Sequence, residues 1–102
     1  MRRKAKVEVF TSPTCPHCPH AIRAAREVLK ERDDADLAEY STATPQGRRK
    51  AGQYMIMSVP TIIVTGPGFP EPIGLRGTPS HRSLNNAIDV ALGLKDPEEP
   101  KG

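Results

Sequence analysis

Residues Val59 to Thr65 read Val-Pro-Thr-Ile-Ile-Val-Thr, and three consecutive β-branched residues bounded by Pro60 and Gly66 make this the strongest strand signal in the chain. Gly66-Pro67-Gly68 then turns the chain back, so whatever follows pairs antiparallel to it. Pro70-Glu71-Pro72 comes before Ile73-Gly74-Leu75-Arg76, and that much proline places the returning strand at the edge of a sheet. Near the N-terminus, Val7, Val9 and Thr11 alternate with Glu8 and Phe10 in a short strand with apolar side chains on both faces, as a central strand covered on two sides would have. Leu37 to Tyr40 is a weaker strand.

Three helices separate these strands. Ile22, Ala25, Val28 and Leu29 recur at the spacing of one buried stripe, with Arg23, Arg26, Lys30 and Glu31 outward, and Asp33-Asp34 ends that helix. Thr44-Pro45 reads as an N-cap followed by proline at the first helical position, opening a short basic helix through Gln53. The last helix starts at Thr78-Pro79 or Pro79-Ser80, carries Leu84, Ile88, Ala91 and Leu92 on its apolar stripe, and stops at Gly93. The order is β-α-β-α-β-β-α. Strand, helix, strand implies a parallel right-handed crossover, so the expected fold is α/β, with a mixed four-stranded sheet and helices on both faces.

At 102 residues the chain is large enough for one core and too small for two, so one domain over residues 1–94 is expected, followed by a Pro-, Glu- and Lys-rich flexible tail over residues 95–102. No run reaches the roughly 18 apolar residues of a membrane helix, and Met1-Arg2-Arg3-Lys4-Ala5-Lys6 lacks the apolar segment of a secretory signal, so a cytoplasmic protein without a membrane partner is expected. The formal charge of +3 decides little. Arg2, Arg3, Lys4 and the cluster Arg48-Arg49-Lys50 have no interleaved aromatic residues to stack on bases, so no nucleic-acid partner is expected.

Two cysteines cannot staple a secreted miniprotein, and a close pair in a cytosolic domain points instead to redox chemistry or metal binding. Cys15-Pro16-His17-Cys18 lies where the first strand hands over to the first helix. Side chains at i and i+3 on a helix have Cβ atoms about 5 to 6 Å apart, slightly beyond the reach of a disulfide, and placing Cys15 at the helix cap closes the gap. There the orphan backbone N–H groups and the positive end of the helix dipole favour thiolate over thiol. A fall in pKa from about 8.5 to about 7 would raise the thiolate fraction at neutral pH from roughly 3% to roughly half. Cys15 is the expected nucleophile and Cys18, deeper, the expected resolving thiol. Pro16 fixes φ at the helix start, and His17 sets an imidazole beside the thiolate that would make the pair more oxidising. Pro19 is expected to remove the first regular helical hydrogen bond. The alternative from another class is a metal or cluster-binding module in which His17, His20 or His81 joins the cysteines; structural zinc sites usually need a second knuckle, and none is present.

The chain resembles the thioredoxin superfamily, in particular the short glutaredoxin-like thioredoxins of bacteria and archaea. Three segments carry the likeness in order, spanning residues 9 to 80: Val9-Phe10-Thr11-Ser12-Pro13-Thr14-Cys15-Pro16-His17-Cys18, then Tyr54-Met55-Ile56-Met57-Ser58-Val59-Pro60-Thr61, then Arg76-Gly77-Thr78-Pro79-Ser80. The resemblance implies a thioredoxin-like fold and a cis bond at Val59-Pro60. It also implies a substrate site in which Val59 and Pro60 present backbone to an extended peptide, with Met57, Gly77 and Thr78 alongside. The departures are specific. Thioredoxins carry a buried acid six residues before the first cysteine and a tryptophan directly before it, where this chain has Val9 and Thr14. Proton transfer at Cys18 would then rely on water or another group. Pro16-His17 replaces thioredoxin's Gly-Pro and is the dipeptide of strongly oxidising disulfide oxidases, while Gly77-Thr78-Pro79-Ser80 replaces the glutaredoxin Gly-Gly and acid pair, so no dedicated glutathione pocket is expected.

The expected function is thiol-disulfide exchange on protein disulfides by a monomer cycling between Cys15/Cys18 dithiol and disulfide, with no cofactor beyond that pair and no metal. A reductase or glutathione would recharge it. A glutathione-dependent glutaredoxin is the alternative of the same class.

Overall fold

The computed structural model describes residues 4–96. Of the expected tail only Lys95 and Asp96 fall within them, and residues 97–102, like Arg2 and Arg3, lie outside the described residues. The elements are β1 (Ala5–Thr11), α1 (Cys18–Lys30), β2 (Ala35–Ser41), α2 (Pro45–Gln53), β3 (Thr61–Gly66), β4 (Phe69–Arg76) and α3 (His81–Ala91). The strands form one sheet in the order β2-β1-β3-β4, parallel between β1 and β2 and antiparallel at the other two junctions. The mixed sheet expected from the element order is therefore present.

Two apolar layers sandwich the sheet. On one face α1 and α3 bury Ala21, Ala25, Val28, Leu84 and Ile88 against Val7, Val9, Ile62 and Val64. On the other, α2 sets Ala51 against Phe10 and Ile63, with Tyr40, Tyr54 and Ile56 at the margin. Full burial of side chains such as Phe10, Ile62, Leu84 and Ile88 stabilises the fold by roughly 1.5 to 3 kcal/mol each. At the far end of α1, Arg32 donates to Asp34 (2.9 and 3.0 Å) and Asp89 (2.7 Å), tying the helix end to α3; these carboxylates hold its guanidinium charged well past the ordinary arginine range.

Several boundaries differ from the sequence expectation. β2 runs from Ala35 to Ser41, longer than Leu37 to Tyr40, because its ends at Ala35-Asp36 and Ser41 are held by the backbone ladder to β1 rather than by apolar alternation. β3 begins at Thr61, since Val59 and Pro60 belong to the turn before it. β4 begins at Phe69 and takes Pro70 and Pro72 within it, which its position at the sheet edge tolerates. α2 and α3 are capped by Thr44 and Ser80, whose hydroxyls accept from Gly47 N and Ser83 N at 3.0 Å. α3 ends where Gly93 takes φ +78°.

Candidate active site

The chain leaves β1 at Thr11 and reaches Cys15 through a turn closed by Cys15 N donating to Ser12 O at 3.1 Å. Cys15 and Cys18 form a disulfide, their Cα atoms 5.5 Å apart, within the span such bonds favour. Cys18 is 3% exposed and Cys15 is half-buried, so one sulfur faces outward and the other the core.

The helix starts later than expected. His17, not Cys15, is the N-cap of α1, and it makes no side-chain cap bond. Pro19 explains the shift. With Cys15 at the cap, residue 19 would be the first required to donate a helical N–H, which proline lacks; with His17 at the cap, Pro19 falls in the first turn, where the N–H is an orphan anyway. The first such donor is then Ala21, to His17 O at 3.4 Å, so the expected loss of a hydrogen bond at Pro19 does not occur.

In the reduced pair the two thiols are unlike. A hydrogen bond from Cys18, with smaller help from the backbone N–H groups of His17 and Cys18, outweighs the opposing desolvation and pulls the Cys15 thiol below its ordinary value. Burial, followed by the bond to Cys15, pushes Cys18 up to about 11. The contribution traced to His17 is its main-chain N–H rather than its imidazole, which is exposed and faces His20 with ring centroids 6.5 Å apart.

A second segment closes on the same end of the sheet. The β1–β3 register ends with Phe10 opposite Thr61, which sets Pro60 beside Thr11 and hence beside the start of the cysteine turn. The Val59-Pro60 bond is cis. Pro60 O accepts from Gly77 N at 2.9 Å, and Thr61 Oγ1 donates to Ser58 O at 2.7 Å, so the segments expected to contact substrate are bonded together. Pro60 is buried, Val59 and Gly77 are half-buried, and Thr78 and Met57 are exposed, Met57 by 90%. His81 does not join the pair. It lies 3.1 Å from Glu27, and among the described residues no group of three or more His, Cys, Asp or Glu side chains could hold a metal ion.

Glu8 was missed. The first strand does carry a buried acid, seven residues before Cys15, and its side chain is fully buried. Tyr54 Oη donates to Glu8 Oε1 at 2.8 Å, and Lys50 Nζ stands 3.6 Å from Oε2, which has no hydrogen-bond partner. Burial and the carboxylate together push the Tyr54 hydroxyl up to about 12. Strand alternation was the available signal, since it puts Glu8 on the same face as Phe10 and so inside an apolar layer. Tyr54 ends α2 and opens the loop to Pro60, so this bond pins the loop to β1. Tyr54→Phe is expected to lower stability by about 2 kcal/mol through an unsatisfied buried carboxylate oxygen, read as a lower urea midpoint at constant m; an unmoved midpoint would show that water replaces the phenol.

The model of the thioredoxin domain family matches residues 5–87. The thioredoxin of Methanocaldococcus jannaschii is 42% identical over 89 residues, covering 87% of this chain and 98% of that protein. The chain belongs to the thioredoxin family. Solved structures agree on the fold: a mutant thioredoxin from Halobacterium salinarum superposes with a TM-score of 0.69 at 22% identity over 86% of this chain and 74% of its own. Fasciola hepatica thioredoxin does so with 0.70 at 18%, over 86% and 81%.

Membership and geometry together define the activity. This thioredoxin-family chain is a thiol-disulfide oxidoreductase acting on protein disulfides through the Cys15-Cys18 pair, and neither the glutaredoxin nor the metal-module alternative is favoured. No helix among the described residues is long and apolar enough to cross a membrane.

Proposed function

We propose that the chain reduces disulfides in client proteins, with Cys15 as nucleophile and Cys18 as resolving thiol. The asymmetry of the two sulfurs carries this reading: the outward one is the better thiolate, and the buried one keeps its proton until the first step is complete. The Cys15 thiolate attacks one sulfur of the client disulfide and expels the other as a thiolate. Cys18 then gives up its proton and attacks Cys15, releasing the second client sulfur, so the client gains two electrons and the pair is left as the disulfide. A dithiol reductase or glutathione must return those electrons. Val59 and Pro60 offer main chain to an extended client strand, Gly77 and Thr78 border it, Pro16 shapes the turn and His17 tunes the thiolate through its N–H. One domain over residues 1–94, acting as a monomer in the cytoplasm without a nucleic-acid partner, suits this role.

Titration of the reduced protein with iodoacetamide tests the division of labour. Because its pKa is lowered, Cys15 gains thiolate, and alkylation rate, at pH values below those at which ordinary cysteine does; Cys18 stays protected until the pH approaches about 11. Equal rates for both thiols across the neutral range would overturn the assignment.

A further inference from the structure

The face of the sheet that α2 occupies is only partly covered. Gly74 and Arg76 of β4 lie opposite Ile63 and Thr61 of β3 on that face. Between them and the loop after α2 runs an open groove of about 280 Å³, lined by Met55, Met57, Ser58, Thr61, Gly74 and Arg76. A second hollow of about 280 Å³ continues it along Pro72 and shares Tyr54, Met55, Ile63 and Gly74 with the first. Gly74 supplies no side chain there, although a Cβ would meet only Ile63 at an ordinary 3.7 Å, so its absence keeps the groove floor open rather than relieving a clash.

The loop wall is unusual in two ways. Met55 takes φ +55°, a left-handed conformation that costs a side-chain-bearing residue free energy and that helix ends normally give to glycine. It is held there by Met55 N donating to Gly52 O at 3.2 Å and Ile56 N to Ala51 O at 2.9 Å. The same loop is also exposed: Met55 is 81% and Met57 90% accessible, and among the described residues Leu94 is the one other exposed large hydrophobic. On the opposite wall, Arg76 has no acidic partner within ion-pair distance among the described residues. The groove reaches Ser58, two residues before cis-Pro60, and Thr61, directly after it.

We propose that this groove docks the segment flanking a client protein's disulfide and selects one that carries an apolar side chain for Met55 and Met57 and a carboxylate for Arg76. It rests on the reading of Cys15 as the attacking thiol. Thioethers adapt to apolar side chains of varied shape, and an unpaired guanidinium donates two parallel hydrogen bonds to a carboxylate. A second copy of this chain is a poorer occupant, because its formal charge is also +3 and it would bring further cations to Arg76.

The test uses the reduced full chain and two disulfide-bonded peptides of equal length, one with Leu and Asp beside the cysteine and one with Lys at both places. The unsubstituted chain should favour the acidic apolar peptide by about fivefold in kcat/KM, the scale of a partly exposed ion pair, and Arg76→Glu should invert the preference. Met55→Gly removes the strain and the contact together, so it should raise the Tm while raising KM for the Leu-Asp peptide at unchanged kcat. A structural role alone predicts the higher Tm without the change in KM. Equal kcat/KM for both peptides, a Met55→Gly protein with unaltered KM, or a dimer that Met55→Gly dissociates would each overturn the docking proposal while leaving the exchange chemistry standing. Reduction of neither peptide would instead overturn the exchange reading on which it rests.

Discussion

Cys18→Ser accumulates stable mixed disulfides with client proteins, whereas Cys15→Ser forms none and exchanges disulfides no faster than an uncatalysed thiol. The two expectations come from the same geometry. Cys15 is the accessible sulfur and receives the His17 and Cys18 main-chain N–H groups, so the first bond to a client forms there and needs nothing from Cys18 beyond a hydrogen bond. Cys18 is 3% exposed and pushed up to about 11, which keeps it from competing for clients and reserves it for a sulfur already delivered next to it. Serine at 18 can still donate a hydrogen bond but cannot attack a disulfide, so the intermediate has no exit. Non-reducing gels with and without dithiothreitol read the result. Adducts formed equally by both variants, or by neither, would contradict the roles given to the two cysteines.

The second large effect concerns stability. Gly68→Ala is expected to cost about 3 kcal/mol, near the upper end for forcing an added methyl into a packed site, and so to lower Tm by at least about 10 °C in a domain of this size. The turn after β3 lies directly on the end of α3, where Gly68 N donates to Ala91 O at 2.8 Å, and a Cβ on Gly68 would overlap Gly93 N and the Leu92 carbonyl carbon. Both obstacles are main chain, so no rotamer change relieves them. Gly52→Ala is the internal comparison, because a Cβ there meets nothing within 4 Å. It removes a helical glycine and should stabilise by roughly 0.5 to 1 kcal/mol. Thermal unfolding by circular dichroism separates the two, and a Gly68→Ala Tm within a few degrees of the parent would show that the turn is free to move off the helix.

Much of this architecture was legible because the elements that build it carry strong local signals. The run from Ile62 to Val64 and the Gly-Pro-Gly turn mark a strand and its antiparallel return, and the stripes of α1 and α3 have the spacing of helices packed on one face. The cysteine pair announced the site, since an i, i+3 pair at a strand-to-helix junction has few uses. What escaped was set by context rather than by composition. β2 gains its full length from ladder bonds to β1, which Ala35, Asp36 and Ser41 do not themselves reveal. The start of α1 depended on which register leaves Pro19 without a donor to lose. Glu8 looked like the polar half of an alternating strand, and only the α2 layer, with Tyr54 and Lys50 reaching it, shows why a carboxylate is tolerated there. The positive φ of Met55 had no sequence signal at all, because the residue that usually marks it is glycine.

The central claim is that Cys15 and Cys18 form one reversible two-electron couple poised to reduce protein disulfides. Its most direct measurement is the reduction potential of the pair, obtained by equilibrating the protein with glutathione redox buffers and quantifying the disulfide at each ratio. The account predicts a single two-electron transition below about −200 mV, on the thioredoxin side of the range that runs from about −270 mV to about −120 mV. A potential well above about −200 mV would make the protein an oxidant of its clients, and the absence of any dithiol-disulfide transition would contradict the redox reading of the site.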